Sequence, residues 1–469
     1  MQHHFVVQAV RHLALISAFL LGAGACAPIN EQTNIDPNNP STIRLDLLLA
    51  PVQTTYAFHL GSDLGRFSAI WSQQLAGNGG LHRFFERYGI LESDMNAVWA
   101  ASYADVLQEL HLINELAVEA DAPHYRGVSH VLEAALGMTL VDLFNDIPWW
   151  QAAAPGHTFT ARPAYTPGAE VYANVDSLLT EAIELLSGPE GRQAVGADDL
   201  IYGGDVALWS AFAKTLRLRA LLTRSELEPT TYDNILTLLP EGGIGAAEED
   251  AQVPFATGNP YGSFEASRTE VVAGEHLVRL MLSLEDPRLP RYFTQANPDA
   301  GADSVYVGQS AGSPGSIAYS RMGPAWASDN SPMPLATHAE HKFIEAEAAL
   351  ATGDAARAAN AYSAAIAASL SAVDVPGDAA STYLASTARD AASITREDIL
   401  TQKYIALFPH PQAFTEYRRT GIPALQPARD REAVATRFPY AASERLYNAE
   451  NFAPYVNTSV YDRVFWDVD

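Results

Sequence analysis

A chain of 469 residues with 48% hydrophobic and 18% charged side chains is long enough to bury a large core and too apolar to be disordered. Its 29 basic and 55 acidic residues give a formal charge of −26, which argues against a nucleic-acid partner and against adhesion to anionic lipid through charge. A single cysteine excludes an internal disulfide, so packing must hold the fold together.

That cysteine, Cys26, closes an apolar run over residues 13–25 that follows Arg11 and His12. A basic start, a short hydrophobic stretch and then small residues form the pattern of a secretory signal. Thirteen helical residues reach only about 20 Å, short of a ~30 Å hydrocarbon core, so the segment targets and does not span. Ala23-Gly24-Ala25-Cys26 resembles a bacterial lipobox, with Ala23 where that signal usually carries Leu. The expectation is a signal peptide over 1–25 and lipidation at Cys26; ordinary cleavage beside a bystander thiol is the alternative. Residues 26–42 read as a polar tether, with turn signals at Asp36-Pro37 and Asn39-Pro40. Ser41-Thr42 offers a cap for the first helix.

Helical periodicity dominates the rest. Apolar stripes predict helices over 98–120, 125–144, 171–186 and 205–227. Small residues such as Gly127 and Gly137 permit close helix approach. Residues 343–366 form an Ala-rich pair broken by Gly353-Asp354, the pattern of a tetratricopeptide unit. Another helix is predicted over 393–408. By contrast, 228–334 is rich in Pro, Gly and aromatics and reads as a loop-rich insertion, apart from a helical stretch at 275–284; 425–469 reads as an irregular aromatic tail. Together, 43–469 is expected to be a single domain with a helical scaffold over 43–227 and 335–424.

Several segments, in order, resemble the SusD/RagB family: Asn34–Asn38, Tyr125–Val128, Thr139–Trp149, Asp199–Asp205 leading to Trp209–Arg219, Asp286–Leu289, Phe343–Ala348, Gln402–Ala406, Glu416–Pro423 and Arg437–Tyr440 with Glu444 and Asn448. The resemblance implies a mainly α fold, with tetratricopeptide-like helix pairs supporting a variable, loop-rich binding region. It also implies a lipid-anchored, surface-exposed outer-membrane protein that captures a nutrient oligomer for a TonB-dependent SusC-like transporter. No cofactor, metal or catalytic residue is implied. The motif residues themselves read as structural. Asp142 and Asp146 suit a helix end, Arg217 and Arg219 suit pairing with Glu345 or Glu347, and Arg418-Arg419 suits carbonyls of the closing loop.

Gly308-Gln309-Ser310-Ala311-Gly312 matches a nucleophile elbow, but Pro314-Gly315 follows where a helix must start, so it reads as a Gly-rich loop. Tyr306, Gly308 and Gly312 also resemble a family Tyr-x-Gly-x-x-x-Gly stretch. His338, His341 and Glu345 share a helix face at metal-like spacing without a further ligand, and a surface or capping role is expected. Sugar binding asks for flat rings beside polar groups. Two places supply that mixture: Trp71, Asn78 and Arg83 with His82, and Tyr306, Tyr319, Arg321 and Trp326. These are the candidate ligand residues, for oligosaccharide or peptide; an exported hydrolase and a protein-binding scaffold remain open. If Cys26 carries the anchor, Cys26→Ala moves the protein from the membrane to the soluble fraction on cell fractionation; unchanged membrane retention contradicts the lipidation reading.

Overall fold

The computed structural model describes residues 44–152, 160–296 and 305–468. Cys26, the signal, the tether and the Ser41-Thr42 cap lie outside them. The main helices are α1 (Leu49–His59), α2 (Gly65–Trp71), α3 (His82–Phe85), α4 (Gln108–Ala120), α5 (Pro123–Phe144), α6 (Gly168–Ser187), α7 (Val206–Thr223), α8 (Thr231–Leu238), α9 (Pro260–Ser267), α10 (Glu275–Ser283), α11 (Pro324–Ala327), α12 (His338–Ala351), α13 (Ala355–Ala372), α14 (Arg396–Ala406) and α15 (Gln412–Thr420). Three antiparallel two-stranded ribbons accompany them: β1 (Leu75–Gly77) with β5 (Val271–Ala273), β2 (Ile147–Pro148) with β3 (Tyr165–Thr166), and β4 (Ala251–Val253) with β6 (Met333–Ala336). The fold is therefore mainly α, as the periodicity predicts.

Helix ends follow local chemistry. Asp205 accepts the amides of Ala207 and Leu208 at 3.0 and 3.2 Å and starts α7. Gly353, at φ +91°, ends the turn after α12, and Asp354 caps α13 through the Arg357 amide. Thr395 and Asp398 form a reciprocal capping box on α14. Consecutive helices then nest in pairs, α4 with α5, α5 with α6 and α12 with α13. Small residues set the approach: a Cβ on Gly127 would meet Leu186 at 2.8 Å, and one on Gly137 would meet the Trp149 ring at 2.9 Å. α5 is long and apolar enough to cross a membrane, yet it is a core helix, 94% buried in its apolar window.

Ala101–Leu107 departs from the predicted helix by winding as π-helix, the chain kinks at Ser62, where φ is −87° and ψ −127°, and His59 bonds Ser102 at 2.8 Å. Another departure is α8, which lies in the stretch expected to be loop-rich but packs on α7 and α12 as part of the scaffold. Its Ile235, with Leu239 just past its end, joins Leu218, Leu222 and Ile344.

Charged residues cement the scaffold. Arg219 forks Glu340 with two 2.6 Å bonds, and Arg217 reaches Asp176 at 3.2 Å. The pairing with Glu345 or Glu347 expected from sequence does not form for either. Arg219 faces the first turn of α12, whereas Glu345 turns towards Lys342 and Arg357. Glu347 instead serves Arg419, which is fully buried and also binds Glu416 at 2.6 Å. Lys403 stands 2.9 Å from Glu416. Burial opposes ionisation of Glu416, but Arg419 and Lys403 hold its carboxyl well below the usual range. Arg418 does bond carbonyls, of Asp142 and of Thr436 in the closing segment. Asp142 is not a cap: it is buried and accepts Tyr172, Trp466 and Thr415. Asp146 does cap, accepting the Gly168 amide at the start of α6 at 2.9 Å. The C-terminal segment threads back into the core, where Phe438 meets Trp71 and Phe414 and where Trp466 is fully buried.

Arg419→Ala removes the fully buried fork from two buried carboxylates and leaves Lys403 to serve both, and urea titration should show a loss of about 3 kcal/mol. Arg217→Ala, at a half-exposed pair, should cost under ~1 kcal/mol.

Candidate ligand-binding site

The site begins with the pairing of β1 and β5, which sets Leu75 opposite Ala273 and Gly77 opposite Val271. At Gly77 the chain turns back so tightly that a Cβ would lie 2.0 Å from the His82 carbonyl oxygen. Asn78 then acts as a clasp. Its Nδ2 donates to the Thr269 carbonyl at 3.0 Å, and its Oδ1 accepts the Ser316 amide at 2.7 Å. A Cβ on Gly315 would sit 1.8 Å from the Asn78 carbonyl oxygen, so glycine permits the contact. The other end of this loop is laced to the sheet: the Gln309 amide donates to Ala273, and the Glu275 amide donates to Gln309, at 2.8 and 2.9 Å. The two segments singled out from sequence, 71–83 and 306–326, therefore meet.

Glu86 locks the junction. It is 3% exposed, and Gln309 Nε2 donates to both its carboxylate oxygens at 3.2 and 3.4 Å. Burial raises its carboxyl to about 7, against the opposing pull of backbone amides at Gly312 and Gly77, of Gln309 and of the Arg83 charge. Gln309 Nε2 also reaches the Gly77 carbonyl at 2.9 Å. A third segment, 426–431, closes the far side: Gln73 donates to the Gln426 carbonyl, the Arg429 amide to Ala311 at 3.0 Å, and Arg87 pairs with Asp430 at 2.6 Å. The result is a cleft of about 210 Å³, with Gln73, Glu275, His276, Arg279, Gln309 and Ser310 in its wall. Beside it, Leu81 and Phe84 are 60% and 64% exposed, and Arg83 between them faces solvent.

The expected ligand residues separate into groups. Asn78 and Arg83 stand at this junction. Tyr306 and Tyr319 are half-buried and flank the Val307–Ser320 backbone pair of the same loop. Trp71 is corrected: it is 1% exposed, its Nε1 donates to the Phe85 carbonyl at 2.7 Å, and its ring packs edge-on against Tyr88 and Phe438, so no ligand can stack on it. Arg321 is engaged by the Glu265 carboxylate at 2.6 Å and by the Glu265 and Arg268 carbonyls. Trp326, on α11, packs against Tyr292 and Phe408 and lines a separate cavity of about 40 Å³ that shares no residue with the cleft. Phe84, Glu86 and Gln309 were not singled out from sequence as ligand or site residues. The only local signal was the aromatic pair Phe84-Phe85 after a Gly-rich turn.

Other motifs resolve as structure. Ser310 is exposed on a turn in which the Ser313 amide donates back to its carbonyl at 2.9 Å, and Pro314 follows without a helix. His338 Nδ1 lies 2.7 Å from the Ile244 carbonyl, while His341 is buried and faces Thr215 at 3.4 Å. Exposed rings beside amides and guanidinium groups suit the apolar faces and hydroxyls of a sugar or the backbone of a peptide.

Glu86 also makes the junction pH-sensitive. Its folded value exceeds the ordinary 4.5, so its contribution to stability is complete below about 4.5 and is lost as pH rises through about 7. Between pH 5 and 8 the wild type should lose thermal stability relative to Glu86→Gln; a difference in melting temperature that does not vary with pH contradicts this.

A family model described as "Starch-binding associating with outer membrane" matches residues 37–441. No curated protein matches the chain. Among solved structures, a chitin-binding protein superposes with a TM-score of 0.80 at 21% identity, covering 91% of this chain and 100% of its own. A chitin-binding SusD homologue from Flavobacterium johnsoniae gives 0.78 at 23%, covering 91% and 99%. A SusD/RagB family protein from Bacteroides thetaiotaomicron gives 0.75 at 23%, also covering 91% and 99%. At these identities the structural likeness speaks for the fold.

Proposed function

Because the chain belongs to the SusD-like family, whose members are described as starch-binding and associated with the outer membrane, we propose that it captures a nutrient oligomer, foremost a glycan, and hands it to a TonB-dependent SusC-like transporter. The lipid at Cys26 holds it at the cell surface. The observation that carries the binding half is the clasp at Asn78. It ties residues 78, 269 and 316, distant in sequence, together beside a cleft with polar amides in its wall, and an exposed ring at Phe84 stands on the adjoining α3.

The proposed action is binding without turnover. Ser310 lacks the strand-to-helix setting that a nucleophile elbow needs, and the family description names binding. The docking partner follows from the family reading alone.

A panel of neutral and acidic oligosaccharides and of peptides tests this. A ligand of the folded state must raise the melting temperature, by an amount set by its concentration over Kd. At least one oligosaccharide should do so. Phe84→Ala should then weaken binding about tenfold by calorimetry, while the free protein's melting temperature moves little, since the ring is exposed. Stabilisation by no oligosaccharide or peptide favours a protein-binding scaffold, and release of new chain ends shows a hydrolase. Either result overturns the reading.

A further inference from the structure

Basic side chains are scarce in this protein, and most are committed. Many exposed and half-exposed arginines carry a carboxylate within 4.0 Å: Arg66 with Asp63, Arg126 with Glu181, Arg192 with Asp121 and Arg445 with Glu92. Arg83, Arg162, Arg429 and Arg431 are exposed and have no salt bridge among the described residues; of these, Arg83 and Arg429 stand on segments that border the cleft. They border the same loop. The Arg429 Cβ lies 2.9 Å from where a Cβ on Gly312 would sit, and the Gly312 amide bonds Glu86, whose titration Arg83 influences.

The nearby acids do not cancel them. Asp430, next in sequence to Arg429, is taken by Arg87 at 2.6 Å, and Glu275 by Arg279 at 2.5 Å. Glu86 is enclosed by Gln309 and backbone amides, and burial favours its neutral form. Elsewhere a net charge of −26 repels anions, and screening limits that repulsion to roughly 8 Å at physiological salt. Two uncommitted guanidinium groups on the segments bordering this cleft are therefore what an anion would recognise there, since each fork can take a carboxylate or sulfate through two parallel bonds.

We infer that the oligomer captured here is anionic, a glycan bearing carboxylate or sulfate groups held by Arg83 and Arg429. This rests on the glycan-capture reading and sharpens it, because neutral polymers of the starch or chitin type offer these arginines only hydroxyls and amides.

The test compares, by calorimetry on the full mature protein, oligogalacturonate, the same oligomer as its methyl ester, a sulfated heparin-type hexasaccharide and neutral chitohexaose. Binding of the oligogalacturonate at least tenfold tighter than its ester identifies the carboxylate, and tightest binding of the heparin-type oligomer identifies the sulfate. In either case the advantage should shrink as salt rises from 0.05 to 0.5 M. The joint variant Arg83→Ala with Arg429→Ala should bring the acidic-to-neutral ratio towards one, and the charge-keeping Arg83→Lys with Arg429→Lys should retain most of it. If chitohexaose or the ester binds as tightly as the acidic oligomers, the charge inference falls while glycan capture stands. If no glycan in the full panel binds, both fall together.

Discussion

The architecture depends on how buried cations are matched. Arg219, Arg288 and Arg419 lie inside the protein with Lys403 beside them, and burying a charge is tolerable only when a partner and hydrogen bonds replace water. Each is answered by an acid from a distant element or an adjoining turn: Glu340 for Arg219, Asp286 with Gln402 and Ser369 for Arg288, Glu347 and Glu416 for Arg419. These forks tie α7, α12, α14 and α15 into one register. Arginine supplies the cation in most cases because its planar fork takes a carboxylate with little loss of freedom. These buried cations and acids balance one for one, so the net charge of −26 is carried by the rest of the chain, where an uncommitted arginine stands out.

From that scaffold the site follows in a short chain of contacts. α2 ends at Trp71, whose ring is fixed by Tyr88, Phe414 and Phe438, so the strand leaving it has a set direction. β1 then pairs with β5, Gly77 turns the chain, and Asn78 catches the loop at Ser316. Glu86 closes the knot from beneath. Trp71 thus serves the site by positioning it, as a core residue one step removed from any ligand.

Much of this was legible from sequence where the signal is local. The helix start at Asp205, the break at Gly353-Asp354 and the small residues at Gly127 and Gly137 are read from near neighbours, and the structure uses them as read. The family resemblance rests on many such segments in order. What needed the third dimension was pairing between elements. The partners of Arg217 and Arg219 depend on which turn of α12 or α6 faces α7, which no spacing within α7 reveals. Trp71 sits beside Gln73 and Gln74 and looks like a surface ring, but those glutamines turn inward or across to carbonyls of Tyr404 and Gln426. Nothing local marks Glu86 as buried, because two of its donors, Gln309 and Gly312, come from residues more than 200 positions away. The π-helical stretches carry no sequence mark that periodicity can detect.

The central claim is that capture occurs where residues 77–86, 308–317 and 426–431 meet. Hydrogen exchange of the protein with and without its tightest-binding oligosaccharide tests this most directly. Slowed exchange concentrated in those three segments, with the helix pairs unchanged, is the result the account predicts; protection confined to the helical scaffold, or around Trp326, would contradict it.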